Sequence, residues 1–289
     1  MQKLTPQLMK ERERNVWASV AGGWQRRDAL LRKGAMPVAE RMLELARIRR
    51  GHRVLDIASG TGEPAITAAH IVGDTGRVIG TDLVEDMLAF AREKAAAASL
   101  DNIEFLCVDG EELGFPPSSF DAVTIRWGLM FMPEPGECLK RAHHMLEEGG
   151  CVVVACWAEP ERNPFVSLVM KVLAQYMDIP KPPPDAPGIF AFADPDRLTG
   201  VMKSAGFDDV RIEDMEIDVI EVDSGAAYWE AISDLAGPVM VLVNQLDEKT
   251  RGRFVSHVID AANEFMTGDS LRMRGTTWIA SGTRQSRRK

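Results

Sequence analysis

The chain has 289 residues, 45% hydrophobic and 27% charged, long enough to bury a full core and ordinary in composition for a globular protein. No apolar run approaches the roughly 20 residues that a membrane span needs, and the charged stretch 1–14 lacks the apolar segment of a signal peptide, so a cytoplasmic protein without a membrane span is expected. The net charge of −9 argues against a nucleic-acid partner; the only dense basic run, Arg284, Arg287, Arg288 and Lys289, reads as a solvated terminus.

In chain order, residues 11–50 read as helical, with a loop-like break at Gly22–Gly23 and a second helical pattern from Pro37 to Ile48. From Arg53 onward short apolar runs alternate with amphipathic stretches, the pattern of β-α-β units in a parallel sheet. Strands are predicted at 53–58, 77–82, 103–109, 122–127 and 151–157, with helices at 63–72, 85–98 and 134–147, the last stopped by Gly149–Gly150. Residues 163–177 look helical, 180–187 form a proline-rich loop, and Asp194-Pro195 caps another helix that ends near Gly206. Two strands, 210–222 and 276–282, are separated by helical stretches at 226–246 and 249–265. Cys107, Cys138, Cys151 and Cys156 show no C-x-x-C spacing and read as free, mostly buried thiols, with no metal site.

The strongest motif is Val54-Leu-Asp-Ile-Ala-Ser-Gly-Thr-Gly62, a strand that runs into a glycine turn and then a helix. Gly60 and Gly62 allow a tight turn and close approach of a ligand. The spacing also satisfies G-x-G-x-x-A, a fingerprint shared with dinucleotide sites. Asp56 separates the two readings. A carboxylate on the strand, four residues before Gly60, would repel a pyrophosphate but attract the cation of an amino-acid moiety; a carboxylate that only caps the turn is the alternative. Asp82 ends the next strand, where it can accept both hydroxyls of a ribose, and Asp109, followed by Gly110, can accept from an adenine amino group. Any one acid could be a helix cap, but three at successive strand ends beside a glycine loop form a set.

On these residues the chain resembles the class I S-adenosylmethionine-dependent methyltransferases, in particular the ubiquinone/menaquinone-biosynthesis branch. Phe120-Asp-Ala-Val-Thr before Arg126-Trp-Gly-Leu, and Leu146-Glu-Glu-Gly-Gly150 before the fifth strand, extend the likeness over residues 17–157. The resemblance implies S-adenosyl-L-methionine as cofactor. Asp56, Ala58, Gly60 and Gly62 would line its methionine end, Asp82 would hold the ribose, Leu83 and Met87 would flank the adenine, and Asp109 and Gly110 would meet its edge. Arg126 and Trp127 would sit near the sulfonium and the incoming substrate. Trp17-x-x-x-Ala21-x-Gly23-Trp24 looks like a segment that closes over the cofactor, with Trp24 packed on the sulfonium; equally, both tryptophans could simply dock a terminal helix.

The expected fold is a doubly wound, Rossmann-like sheet of about seven mostly parallel strands with an antiparallel edge. The expected parts are an N-terminal helical cover (1–50), a cofactor-binding core (51–158), a substrate cap with a later core strand (159–237), and C-terminal helices with an edge strand (238–289). In the cap, Phe165, Met170, Met177, Phe190, Phe192, Tyr228 and Trp229 are candidates to line a pocket for an apolar or aromatic acceptor, methylated at oxygen or carbon in quinone or secondary-metabolite biosynthesis; they could equally be the cap's own core. No catalytic residue is assigned: His52, His70, His143, His144 and His257 read as structural or surface residues. The expected partner is a small-molecule methyl acceptor, and a homodimer is compatible with this reading. The rival readings are a nicotinamide-dependent oxidoreductase, disfavoured because neither Tyr176 nor Tyr228 has a lysine four residues on, and a non-catalytic S-adenosylmethionine-binding module.

Overall fold

A computed structural model describes residues 5–179, 183 and 186–285. Helix α1 (Pro6–Arg26) starts where the Thr5 side chain accepts from the Leu8 amide at 3.3 Å, with Pro6 opening its first turn. It continues through Gly22–Gly23, where the sequence suggested a break, and ends at Arg27, before α2 (Asp28–Leu45). Gly23 serves close packing instead. A Cβ there would lie 2.1 Å from the Asp234 carbonyl oxygen, so α1 can approach α8 (Gly225–Leu235) only with glycine at this position. Arg26 and Arg27 pair with the Asp234 carboxylate at 2.6 and 2.7 Å beside that contact.

The alternating part gives β1 (Arg53–Ile57), α3 (Ala65–Val72), β2 (Arg77–Asp82), α4 (Glu85–Ala97), β3 (Ile103–Cys107), β4 (Phe120–Arg126), α5 (Pro135–Met145) and β5 (Leu146–Trp157). Helix α5 ends at Met145, before the glycines expected to stop it, because Leu146 already pairs with Phe120 as the first residue of β5. Beyond it lie α6 (Pro164–Leu173), α7 (Pro195–Ser204), β6 (Asp208–Val222), α8, α9 (Gly237–Val243), α10 (Glu248–Asn263), β7 (Met266–Thr267) and β8 (Ser270–Thr283). Asp194 caps α7 by accepting from the Asp196 amide at 2.9 Å, as its Asp-Pro start predicts. The single stretch expected over 226–246 is two helices, divided where Gly237-Pro238 opens α9.

The sheet order is β3-β2-β1-β4-β5-β8-β6, with the short β7 paired only to β8. β1 to β5 are parallel; β8 runs antiparallel to both β5 and β6. This is the expected mostly parallel sheet with an antiparallel edge. Its central strands are covered on both faces, which is why β1 and β5 are buried almost throughout and read as near-continuous apolar runs. The carboxyl ends of β1, β2 and β4 meet where the strand order reverses, the place where open α/β sheets bind ligands.

Cys138, Cys151 and Cys156 are buried free thiols, and Cys107 is exposed. Most of the proline-rich loop and the last basic residues, Arg287 to Lys289, lie outside the described residues. Arg284 is docked rather than solvated, donating to the carbonyls of His144 and Leu146. No single described helix is long and apolar enough to cross a membrane; α8 and α9 pass that test only together, and they are bent by 103°.

Candidate active site

β1 delivers the chain into a turn with Ala58, Gly60 and Gly62 all at positive φ (59°, 51° and 105°). The turn closes on itself through Gly62 N–H to Ser59 O at 2.8 Å and is tied to β2 through Ser59 N–H to Thr81 O at 2.9 Å. Space is open where a Gly60 Cβ would stand, whereas one on Gly62 would lie 2.7 Å from Ile66. Gly60 therefore leaves room for a ligand, and Gly62 lets α3 start against α4.

Asp82 joins this turn to the next. One carboxylate oxygen accepts from the Gly60 amide at 2.8 Å and the other from the Val84 amide at 2.9 Å. Burial raises the carboxyl above the usual range, and the amide hydrogen bonds oppose that shift. Each oxygen keeps a lone-pair direction free for a further donor. Past β3, Asp109 accepts from the Glu111 amide at 2.8 Å and pairs with Lys10 of α1 at 2.7 Å. Lys10 also meets Glu111 at 2.8 Å, and Glu111 in turn accepts from the Glu134 amide at 2.5 Å.

These elements surround a cavity of about 160 Å³. One wall is the glycine turn with Ala58, Gly60, Asp82, Leu83 and Met87; another is Asp109 and Gly110; a third runs from Arg126 and Trp127 to Pro133. Trp17 and Trp24 of α1 cover it, in edge contact with each other at 6.0 Å between ring centres. Trp24 also donates its indole N–H to the Leu235 carbonyl at 3.1 Å, so the tryptophans dock α1 and face the cavity at once. Trp127 is fixed more tightly: φ is 55°, its ring stacks on Trp157 at 4.3 Å, and Nε1 donates to the Thr277 hydroxyl at 3.1 Å. The Arg126 guanidinium lies 4.9 Å from the centre of that ring.

Most of the residues singled out in the sequence thus share one cavity. Asp56 and Gly62 do not line it. Asp56 is fully buried beneath the turn, where it accepts from the Thr124 hydroxyl at 2.6 Å and its second oxygen has no hydrogen-bond partner. Burial pushes its carboxyl up to about 6, against the Thr124 hydrogen bond and the nearby Arg126 charge. The cap aromatics fall elsewhere. Phe165, Phe192 and Tyr228 are buried in the main core, with the Tyr228 hydroxyl on the Phe165 carbonyl at 2.8 Å. Met170, Met177, Phe190 and Trp229 pack against that core, and none of the seven lines the cavity. No histidine lines it either: His143 packs edge-on against Phe207, His257 lies 3.5 Å from the Tyr176 hydroxyl, and His52 accepts from Arg49. Lys10 is a wall residue that the sequence did not announce, as are Val84, Phe131, Met132 and Pro133.

The cavity chemistry fits a nucleoside bearing a cationic amino-acid tail. Acceptor carboxylates stand at Asp82 and Asp109, Leu83 and Met87 offer apolar surface, and Trp17, Trp24 and Trp127 offer aromatic faces that attract cations.

Residues 7–180 match the ubiE/COQ5 methyltransferase family. The Pseudomonas entomophila (strain L48) ubiquinone/menaquinone biosynthesis C-methyltransferase UbiE is 31% identical over 229 residues, spanning 73% of this chain and 86% of its own. A crystal structure of a Bacillus halodurans protein described as a methyltransferase superposes with a TM-score of 0.56 at 18% identity, over 86% of this chain and 99% of that one. The Haemonchus contortus phosphoethanolamine N-methyltransferase 2, solved with S-adenosyl-L-methionine, gives 0.51 at 17% identity, over 98% of this chain and 58% of that one. The chain belongs to the ubiE/COQ5 methyltransferase family and is an S-adenosylmethionine-dependent methyltransferase; the nicotinamide reading is not favoured.

Proposed function

We propose that the cavity over the glycine turn is the S-adenosylmethionine site, and that the acceptor is a small apolar or aromatic molecule methylated at carbon or oxygen. The observation that carries this reading is Asp82, whose carboxylate is bonded to the Gly60 amide at 2.8 Å and faces the cavity between Gly60 and Leu83. In this reading Asp82 takes the ribose hydroxyls, Leu83 and Met87 flank the adenine, and Asp109 and Gly110 meet its edge. Ala58 and Gly60 frame the methionine end, with Asp56 and Gly62 supporting the turn from behind. Trp24, Arg126 and Trp127 stand at the methyl-donating end.

When bound, S-adenosylmethionine supplies a methyl group on a cationic sulfonium. The protein's share is alignment, water exclusion and a field that favours the reacting geometry. The absence of histidine from the cavity wall, among the described residues, suits an acceptor that is already electron-rich and needs no general base. The UbiE relatives, named as C-methyltransferases of ubiquinone and menaquinone biosynthesis, favour a carbon acceptor of quinol type. The division into a helical cover, a cofactor core, a cap and a C-terminal unit belongs to the same proposal, as does a cytoplasmic location; the net charge of −9 supports a small-molecule acceptor over nucleic acid.

The test is transfer of label from methyl-labelled S-adenosylmethionine to a panel of quinols, phenols and naphthols, with mass spectrometry of the products. Label on carbon or oxygen of an aromatic member supports the reading. Label only on amines or on nucleic acid contradicts it.

A further inference from the structure

Among the described residues, the wall of the main cavity carries two cations, Lys10 and Arg126. Lys10 is already met by three carboxylates, those of Asp109 at 2.7 Å, Glu111 at 2.8 Å and Glu112 at 3.3 Å. Arg126 is different. Its guanidinium donates to two neutral backbone carbonyls, Glu63 O at 2.9 Å and Ala35 O at 3.4 Å, and no described carboxylate lies within ion-pair distance. A guanidinium has five donor hydrogens, and two bonds leave it under-satisfied. Burial pulls its pKa down, and the Glu63 and Asp56 charges restrain that fall, so it remains a cation.

The acids of the wall divide in the same way. Asp109 and Glu111 are matched by Lys10, and Asp82 is bonded to the Gly60 and Val84 amides. Glu63, directly after the glycine turn, also lines the cavity. Thr67 holds its Oε2 through the amide at 3.2 Å and the hydroxyl at 2.7 Å, which leaves Oε1 for a further donor. The glycine-turn end of the cavity therefore presents an unpaired cation beside a carboxylate with an oxygen to spare, while the charges at the Asp109 end are already matched.

Resting on the reading of the main cavity as the methyl-donor site, the glycine-turn end faces the amino-acid tail of S-adenosylmethionine. That tail carries an ammonium and a carboxylate, a short chain away from the sulfonium. Of these three charges only the carboxylate can approach Arg126 favourably, and burial strengthens the discrimination. The ammonium needs an anion in turn.

We propose that Arg126 clamps the carboxylate of the cofactor's methionine tail and that Glu63 receives its ammonium, so that the pair reads the tail as a zwitterion. The planar fork of a guanidinium suits a carboxylate, which it can meet with two parallel N–H donors. The bound carboxylate also separates the fixed cation from the sulfonium.

Calorimetric titration of three ligands separates the groups of the tail. S-adenosylhomocysteine has both charges, its decarboxylated analogue S-adenosyl-3-thiopropylamine keeps the ammonium alone, and 5′-methylthioadenosine has neither. Wild-type protein is expected to bind the decarboxylated analogue at least ~20-fold more weakly than S-adenosylhomocysteine. Arg126→Gln should weaken S-adenosylhomocysteine by at least ~20-fold, leave 5′-methylthioadenosine within about threefold of wild type, and not weaken the decarboxylated analogue. Arg126→Lys should recover part of the loss, because it keeps charge without the planar fork. Glu63→Gln should weaken both amine-bearing ligands ~10-fold and spare 5′-methylthioadenosine. Unchanged S-adenosylhomocysteine affinity in Arg126→Gln overturns the proposal, and in Glu63→Gln it overturns the ammonium assignment. An Arg126→Gln variant that loses all three ligands alike also overturns it, since that is the mark of a structural role. Failure of wild-type protein to bind either S-adenosylhomocysteine or 5′-methylthioadenosine strikes the underlying reading instead.

Discussion

The Lys10 ammonium lies 2.7 Å from the Asp109 carboxylate and 2.8 Å from that of Glu111, which joins the helix over the cavity to the loop after β3. Only 10% of the Lys10 side chain and 2% of the Glu111 side chain are exposed. Burial disfavours the ammonium, but the two carboxylates more than offset this and hold its pKa above the usual lysine value. Lys10→Met leaves the acids crowded and unneutralised. It is expected to destabilise the protein by roughly 3 kcal/mol in urea titration, and the Lys10→Met/Glu111→Gln double variant should recover part of that. An unchanged unfolding midpoint in the single variant would show that the pair is not maintained in solution.

Gly23 offers a sign test. In an exposed helix, glycine to alanine stabilises by about 1 kcal/mol. Here the added Cβ would meet the Asp234 carbonyl at 2.1 Å, and α1 would have to lift from α8. Gly23→Ala is therefore expected to destabilise by about 2 kcal/mol, read as a lowered Tm. A raised Tm would mean that the helices do not pack this closely.

What the sequence disclosed and what it hid follow from the range of the interactions involved. The glycine turn, Asp82 and Asp109 were legible because each sits at or just past the end of its own strand (β3 stops at Cys107, two residues short of the 109 its pattern suggests), and the fold brings such ends together without further information. Gly22–Gly23 read as a break because glycine is a local punctuation signal, whereas its reason here is Asp234, more than two hundred residues away. Lys10 looked like any charged residue of an exposed helix; its partners lie about a hundred residues on. β8 starts at Ser270, earlier than its apolar run indicates, because its length is set by pairing with the fifteen-residue β6. The cap aromatics were equally compatible with a pocket and a core, and only packing distinguishes the two.

Asp56 predicts a pH dependence with a definite sign. Its carboxyl is raised from 3.8 to about 6 in the folded protein. Between those values the folded state holds a proton that the unfolded chain has lost, so this group's contribution makes stability fall as pH rises from about 4 to about 6. Asp56→Asn removes the titration. Relative to wild type, the variant should gain roughly 2 kcal/mol between pH 4 and pH 7, measured as the difference in unfolding free energy at each pH. A difference constant with pH would show that Asp56 titrates normally.

The central claim is that the Asp82–Gly60 wall holds the cofactor, and calorimetric titration of S-adenosylhomocysteine into wild-type protein and Asp82→Ala tests it most directly, with NADH as the competing ligand. The account predicts tight S-adenosylhomocysteine binding to wild type, no NADH binding, and at least ~100-fold weaker binding to a folded Asp82→Ala variant, since two hydrogen bonds to a charged acceptor are lost. Equal affinity in the two proteins, or NADH bound in place of S-adenosylhomocysteine, would contradict it.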